Sequence, residues 1–324
     1  MVPMAEAEQA VLALREVTGV AESHVRELTG LGHGLPLLPG DVVDRRAWVQ
    51  AAADGLAVLT EGALPPGSSR PGGGVLAGSA GVQAGMVLAY LAGRVLGQYD
   101  PFGGDSGRLL LVAPNIMAAQ RALDVPDDDF QMWVCLHECT HRLQFTAVPW
   151  LRDYFAGEVG SFLSGLDETA TGAFSRLPDL IKTVRRKPTD DPGSAGPIGL
   201  VEMLQSPQQR EVFDRLIALS TLLEGHADHV MDAVGPTVVP SVATIRARFT
   251  ARRRGGGMLD RILRTALGVD AKVKQYAAGA AFTRHVVDAV GMDGFNAVWT
   301  SPETVPLRAE ISDPAAWVRR IHGA

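Results

Sequence analysis

Residues 131–146 read Gln131-Met132-Trp133-Val134-Cys135-Leu136-His137-Glu138-Cys139-Thr140-His141-Arg142-Leu143-Gln144-Phe145-Thr146, with no proline or glycine to interrupt them. The acidic run Asp127-Asp128-Asp129 precedes this stretch, where carboxylates suit the positive end of a helix dipole. A helix over 131–146 is therefore expected. It places His137 and His141 one turn apart on one face, at a separation that a single tetrahedral zinc can bridge. Glu138 falls beside them, near an open coordination position, where a carboxylate can accept a proton from water and pass it to a leaving group. The competing interpretation is two histidines on an amphipathic helix, one of them paired with the glutamate. With 8 histidines in 324 residues, a shuffled chain shows this pattern in roughly one case in a hundred, which favours the metal.

Helical phase also assigns the two cysteines. Cys135 and Cys139 point about 160° from the histidines, so they are expected to be buried apolar thiols outside the metal site. Their four-residue spacing within one helix is unsuited to a disulfide.

A catalytic zinc usually takes three protein ligands. Gln144 and Ala147 stand where an extended glycine-and-histidine signature would continue, so the third ligand must come from elsewhere. The strongest candidate segment is Leu222-Leu223-Glu224-Gly225-His226-Ala227-Asp228-His229, inside a helix expected over 206–234. Glu224 and Asp228 share a face of that helix. Glu224 could ligate while Asp228 accepts a hydrogen bond from a ligating histidine. His226 is the alternative third ligand, but it projects from a different face. A cluster of ionisable residues in an apolar helix is costly unless each finds a partner, and a metal site provides partners.

Around these two segments most of the chain shows helical periodicity: 5–28, 46–60, 76–97, 116–123, 150–184, 241–253, 258–267, 270–290 and 313–322. Leu109-Leu110-Leu111-Val112-Ala113, stopped by Pro114, is the best strand. The expected fold is thus mainly α with a small β-sheet (α+β). The Pro- and Gly-rich stretch 186–197 is expected to be a surface loop. Candidate chemistry lies on both sides of it, so residues 1–324 are expected to form a single domain.

Composition narrows the partners. A net charge of −6 with 20% charged residues gives no electrostatic reason to expect nucleic acid. The basic group Arg246, Arg248, Arg252, Arg253 and Arg254 is expected to be a solvated helix end. Gly74 to Gly93 lacks charge over a membrane-span length, yet its five glycines make a buried, closely packed helix the better expectation. The N-terminus lacks the basic and apolar regions of a signal peptide, and with no disulfide framework the expected location is cytoplasmic. The glycines at 71–74 and 103–107 lack the setting of a dinucleotide site, so no organic cofactor is expected.

Glu224-x-x-x-Asp228 downstream of His137-Glu138-x-x-His141 resembles the gluzincin pattern of zinc metallopeptidases. Further segments resemble a family of zincin-like metallopeptidases associated with biosynthesis of the deazaflavin coenzyme. These are Val43-Asp44-Arg45-x-x-Trp48, Val95-Leu96-Gly97-Gln98-Tyr99-Asp100, Trp133 to Glu138, Gln144-Phe145, Pro149-Trp150-Leu151, Glu224-Gly225-His226 and Gln275-Tyr276-x-x-Gly279. The resemblance runs through nearly the whole chain. It implies a compact, gluzincin-type zincin-like fold holding one Zn2+ through His137, His141 and Glu224, with Asp228 behind them. The interval from His141 to Glu224 is longer than in the best-known gluzincins, so the place of Glu224 rests on local pattern.

Such a site also needs an oxyanion donor, for which Tyr276, His226 and His229 are candidates. By fold analogy, the strand at 109–113 could be the edge that pairs with an extended peptide. The expected activity is zinc-dependent hydrolysis of a peptide or small amide, with Glu138 as base and acid. The rival expectations are a catalytically silent zincin-fold binding or assembly protein, or a small-molecule amidohydrolase tied to deazaflavin coenzyme metabolism.

Overall fold

The computed structural model describes residues 3–61, 85–164, 207–254 and 269–323. In chain order the elements are α1 (Met4–Thr29), β1 (Asp41–Val43), α2 (Arg45–Glu61), α3 (85–92), β2 (Gly97–Asp100), β3 (Arg108–Val112) and α4 (Ala113–Leu123). They continue with α5 (Asp127–Ala147), α6 (151–164), α7 (Pro207–Val238), α8 (Val242–Arg254) and α9 (Val269–Phe295). Two short 3-10 turns, Asn296–Trp299 and Pro302–Thr304, lead to α10 (Arg308–Ser312) and α11 (Pro314–His322). The fold is α+β, mostly helical with one three-stranded sheet, as the periodicity predicts. The linker at 186–197 and the helix expected at 258–267 lie outside the described residues, as do 76–84 and 165–184 of two further expected helices.

The sheet runs in the order β1-β3-β2, with β1 parallel and β2 antiparallel to β3. Alternation along β3 divides its two faces. Leu109 and Leu111 enter the main core, while Leu110 and Val112 enter a smaller cluster with Trp48, Ala51 and Ala92. The run of apolar residues expected to be a strand is thus buried on both sides, the pattern of a central strand. It is not the free edge anticipated for peptide pairing, because β1 and β2 already occupy both of its sides. A second difference concerns the glycine-containing helix expected to reach residue 97. Helix α3 ends at residue 92, and Gly97–Asp100 is strand, pairing Gly97 with Leu111 and Asp100 with Arg108. Tertiary pairing with an apolar neighbour outweighs local helical periodicity here.

Helix α5 is packed between α1 and α7. On its α1 side, Cys135 and Cys139 are buried and free, with Thr18 against both sulfurs. Burial pushes the Cys139 thiol up to about 12, so it remains a neutral packing group. Beside them Arg142, 2% exposed, sits 3.2 Å from Glu22, which also binds Arg26. Arg142 and Arg26 reach the carbonyls of Leu38, Gly32 and Leu35. This buried ion cluster thereby attaches the chain between α1 and β1 to α5.

Helix α8 is also tied down. Arg246 binds Asp232 at 2.6 Å and faces Asp228 at 3.5 Å, while Arg248 donates to Leu123 O. Both join α8 to its neighbours, while Arg248 remains exposed, as expected of a solvated helix end. Arg252, Arg253 and Arg254 have no described side chains. No helix among the described residues is long and apolar enough to cross a membrane.

Two helices approach closely where α7 crosses α9. A Cβ on Gly225 would lie 2.1 Å from the carbonyl carbon of Gly279, and one on Gly279 would lie 2.2 Å from Thr221 O. Only two glycines allow backbone to meet backbone at this distance. The crossing is adjacent to Glu224, so it sets the height at which that carboxylate leaves α7. Gly279→Ala must force the helices apart, and overpacking of this kind costs about 1–3 kcal/mol. Thermal unfolding should show a clearly lowered Tm; an unchanged Tm would mean that the crossing carries no such constraint.

Candidate metal centre

His137 and His141 project from the same side of α5. Their Nε2 atoms are 3.1 Å apart and their rings meet edge to face. Glu224 arrives from α7 with Oε2 3.5 Å from His137 Nε2 and 3.9 Å from His141 Nε2. One ligand atom from each of the three residues falls within 4.8 Å of the other two. With Zn–N and Zn–O bonds of about 2.0–2.1 Å, ligand atoms on one tetrahedral zinc are about 3.3 Å apart. Two imidazole nitrogens and a carboxylate oxygen at these separations fit a zinc ion with one position left open.

Imidazole orientation supports the same ligand set. His141 Nδ1 lies 2.9 Å from Gln144 Oε1. A carboxamide oxygen only accepts, so Nδ1 carries the proton and the Nε2 lone pair faces the centre. Gln144 is fully buried, and its amide nitrogen donates at 3.0 Å to Leu223 O and at 3.0 Å to His226 Nδ1. His137 has no such partner; its Nδ1 lies 3.2 Å from Met231 Sδ.

Asp228, expected to bond a ligating histidine, instead faces Arg246, and Gln144 takes the place proposed for it at His141. His226 sits behind the ligands and not at the centre. Its ring packs 5.0 Å from Phe295 and 5.5 Å from Trp299, with its Nδ1 engaged by Gln144. Burial, with His229 and His141 nearby, pushes it down to about 3, so the ring is neutral. It is placed neither as a ligand nor facing either cavity of the site. His229 is half-buried and its pKa is lowered, chiefly by burial and by Arg284. Tyr276 belongs to the backbone of α9, and its side chain lies outside the described residues.

Glu138 is 6% exposed. Burial raises its carboxyl to about 7, with His137 opposing and Glu224 assisting the shift. The strand β2 comes close enough that a Cβ on Gly97 would meet Glu138 Cδ at 2.8 Å. Gly97 is therefore a functional position that helical periodicity hid, and it holds the carboxylate against the sheet edge. Burial works against a charge on His137. The Glu224 hydrogen bond and the nearby Glu138, Glu224 and Asp228 outweigh it and raise His137 to about 9. His141 is lowered, by burial and then by the charge on His137.

Two cavities open onto the centre, one of about 530 Å³ and one of about 350 Å³. His137, Glu138, Glu224 and Gly97 line both, and His141 lines the larger.

A model of the zincin-like metallopeptidase family matches residues 2–318. The chain is also similar to a crystal structure from Chloroflexus aurantiacus, described as a candidate hydrolase with a novel fold. That likeness has a TM-score of 0.64 and 31% identity, and it covers 100% of both chains. Among functionally curated proteins, none matches.

Two measurements probe this centre. Gln144→Met removes the acceptor at His141 and should weaken zinc binding about 10–100-fold in competition with a chelator; unchanged affinity would remove Gln144 from the ligand support. At pH 7 His137 is protonated and must lose that proton to ligate. Zinc titration calorimetry in buffers of differing ionisation enthalpy should therefore report release of about one proton per ion, with apparent affinity rising towards pH 9. Absence of proton release would contradict the raised pKa.

Proposed function

The chain belongs to the zincin-like metallopeptidase family, and from that premise we propose that it is a zinc-dependent hydrolase of amide bonds. The observation carrying this reading is the convergence of His137, His141 and Glu224 beside a buried Glu138 whose carboxyl is raised to about 7. A purely structural zinc site has four protein ligands and no use for a neighbouring base.

Zinc bound there would supply Lewis acidity, polarising a carbonyl and making water acidic near neutral pH. The chain's own residues perform the remaining steps. His137, His141 and Glu224 would hold the ion. Glu138 would accept the proton of the attacking water. Once protonated, the same carboxyl delivers it to the leaving nitrogen. Gly97 keeps this carboxyl over the centre, where water has little access.

A second reading within the same chemistry is favoured by the cavity sizes. Volumes of about 530 and 350 Å³ are in the range of pockets for small ligands, so a short peptide or small amide fits better than an extended chain.

Glu138→Gln should retain about one zinc per chain while hydrolysis of a responsive amide falls by about 10²–10⁴-fold. Activity surviving the substitution would sink the assigned role of Glu138, and loss of metal with activity intact would sink the zinc dependence.

A further inference from the structure

The two cavities differ in chemistry, and they meet at the centre. In the larger one, beyond the centre, Leu56, Leu88, Leu91, Phe102, Phe145 and Phe155 present apolar surface. Phe155 packs against both Phe102 and Phe145, at 6.3 and 6.2 Å between ring centroids, so this surface is built of interlocked rings. Three of its polar members are engaged elsewhere. Gln98 accepts the Trp48 indole N–H at 2.9 Å, the Tyr99 hydroxyl donates to Ser106 O at 2.9 Å, and Asp100 accepts the Phe102 N–H at 3.0 Å. No Lys or Arg lines this cavity among the described residues. The smaller cavity is lined by Arg94, Asp228, Arg246 and Thr250 together with Trp133 and Phe249.

An anionic group placed in the larger cavity would lose its hydration without gaining a cationic partner among the described residues, whereas an apolar group there is removed from water at a benefit. In the smaller cavity a polar group meets fixed charges of both signs. Because His137, Glu138 and Glu224 line both spaces, a substrate crossing the centre has one end in each.

We propose that the substrate is an amphipathic amide. A bulky apolar group, aromatic or branched aliphatic, lies in the larger cavity on one side of the cleaved bond, and a charged or strongly polar group lies in the smaller cavity on the other. This deepens the proposed function and rests on it. Phe145, one turn beyond His141 on α5, and Phe155 are specificity-determining residues for the apolar end.

The test uses binding to the zinc-loaded protein, followed by calorimetry, with three hydroxamates that present the same chelating group: acetohydroxamate, 3-phenylpropanohydroxamate and the half-hydroxamate of succinate. The phenyl compound should bind about tenfold tighter than acetohydroxamate or better, while any gain of the succinate compound comes from the smaller cavity and should survive both variants below. Leu56→Glu places a carboxylate at the exposed rim of that cavity, and Phe155→Ala removes one of its rings. Each should abolish most of the phenyl advantage and leave acetohydroxamate binding unchanged. Equal affinity of the phenyl and methyl compounds, or a phenyl advantage intact in both variants, would overturn this inference alone. Failure of acetohydroxamate itself to bind would overturn the metallohydrolase reading and this inference with it.

Discussion

One buried carboxamide connects the helices that carry the candidate ligands. Gln144 accepts from His141 on its own helix and donates across to Leu223 O and His226 Nδ1 on α7. The two bonds to α7 are buried, and a buried polar group left unpaired costs about 1–3 kcal/mol. The side chain therefore defines both the tautomer of one ligand and the spacing between α5 and α7. His226 completes this arrangement from behind. Held neutral by burial between Phe295 and Trp299, it provides an acceptor and brings no charge towards the centre. A protonated imidazole there would oppose any cation bound by its neighbours.

Much of this was legible in the sequence, and the remainder was hidden for identifiable reasons. His137, Glu138 and His141 can be placed from spacing alone, because one helix determines their relation. Glu224 could be nominated from the cluster around it, although only tertiary structure brings it within reach of the histidines. Gln144 was noted for the glycine-and-histidine signature it interrupts; what that position supplies instead is a bond between helices, which has no one-dimensional pattern. The same holds for Gly225 and Gly279, which lie far apart in the chain and meet backbone to backbone. Gly97 was misread as the end of a helix because the evidence for the strand it opens resides in its partner, β3. The central position of β3 depends likewise on two short strands too weak to recognise individually. Asp228 had the right spacing for a ligand's partner, but Arg246 from α8 lies closer to its charge.

The burial of this site also explains its electrostatics. Glu138 is raised by desolvation and His137 is raised by carboxylates despite desolvation, so a proton is shared among groups that cannot all be charged without an ion present. Bringing a divalent cation to three inward-facing ligands relieves that conflict, which gives metal binding a share in the stability of this region. The same low-water environment that makes the isolated groups costly increases the effect of any charge developed during reaction. The opposing chemistry of the two cavities then places polar surface where departing charged groups need it, and apolar surface where they do not.

The rotation of α5 about its axis is constrained from two directions. Gln144 holds it from the α7 side. From the α1 side, Arg142 is engaged by Glu22, and Cys135 and Cys139 pack on Thr18. Neighbouring positions on a helix are separated by about 100°, so His141 and Arg142 cannot turn independently. Any rotation that strained the Arg142–Glu22 pair would swing both imidazoles away from Glu224. Breaking one member of a buried ion pair is costly because it leaves an uncompensated charge, and here that cost resists a displacement of the ligands about one helix radius away. The ion cluster contributes nothing to coordination directly. Its part is to make the orientation of the two histidines a property of the core instead of a freedom of their side chains.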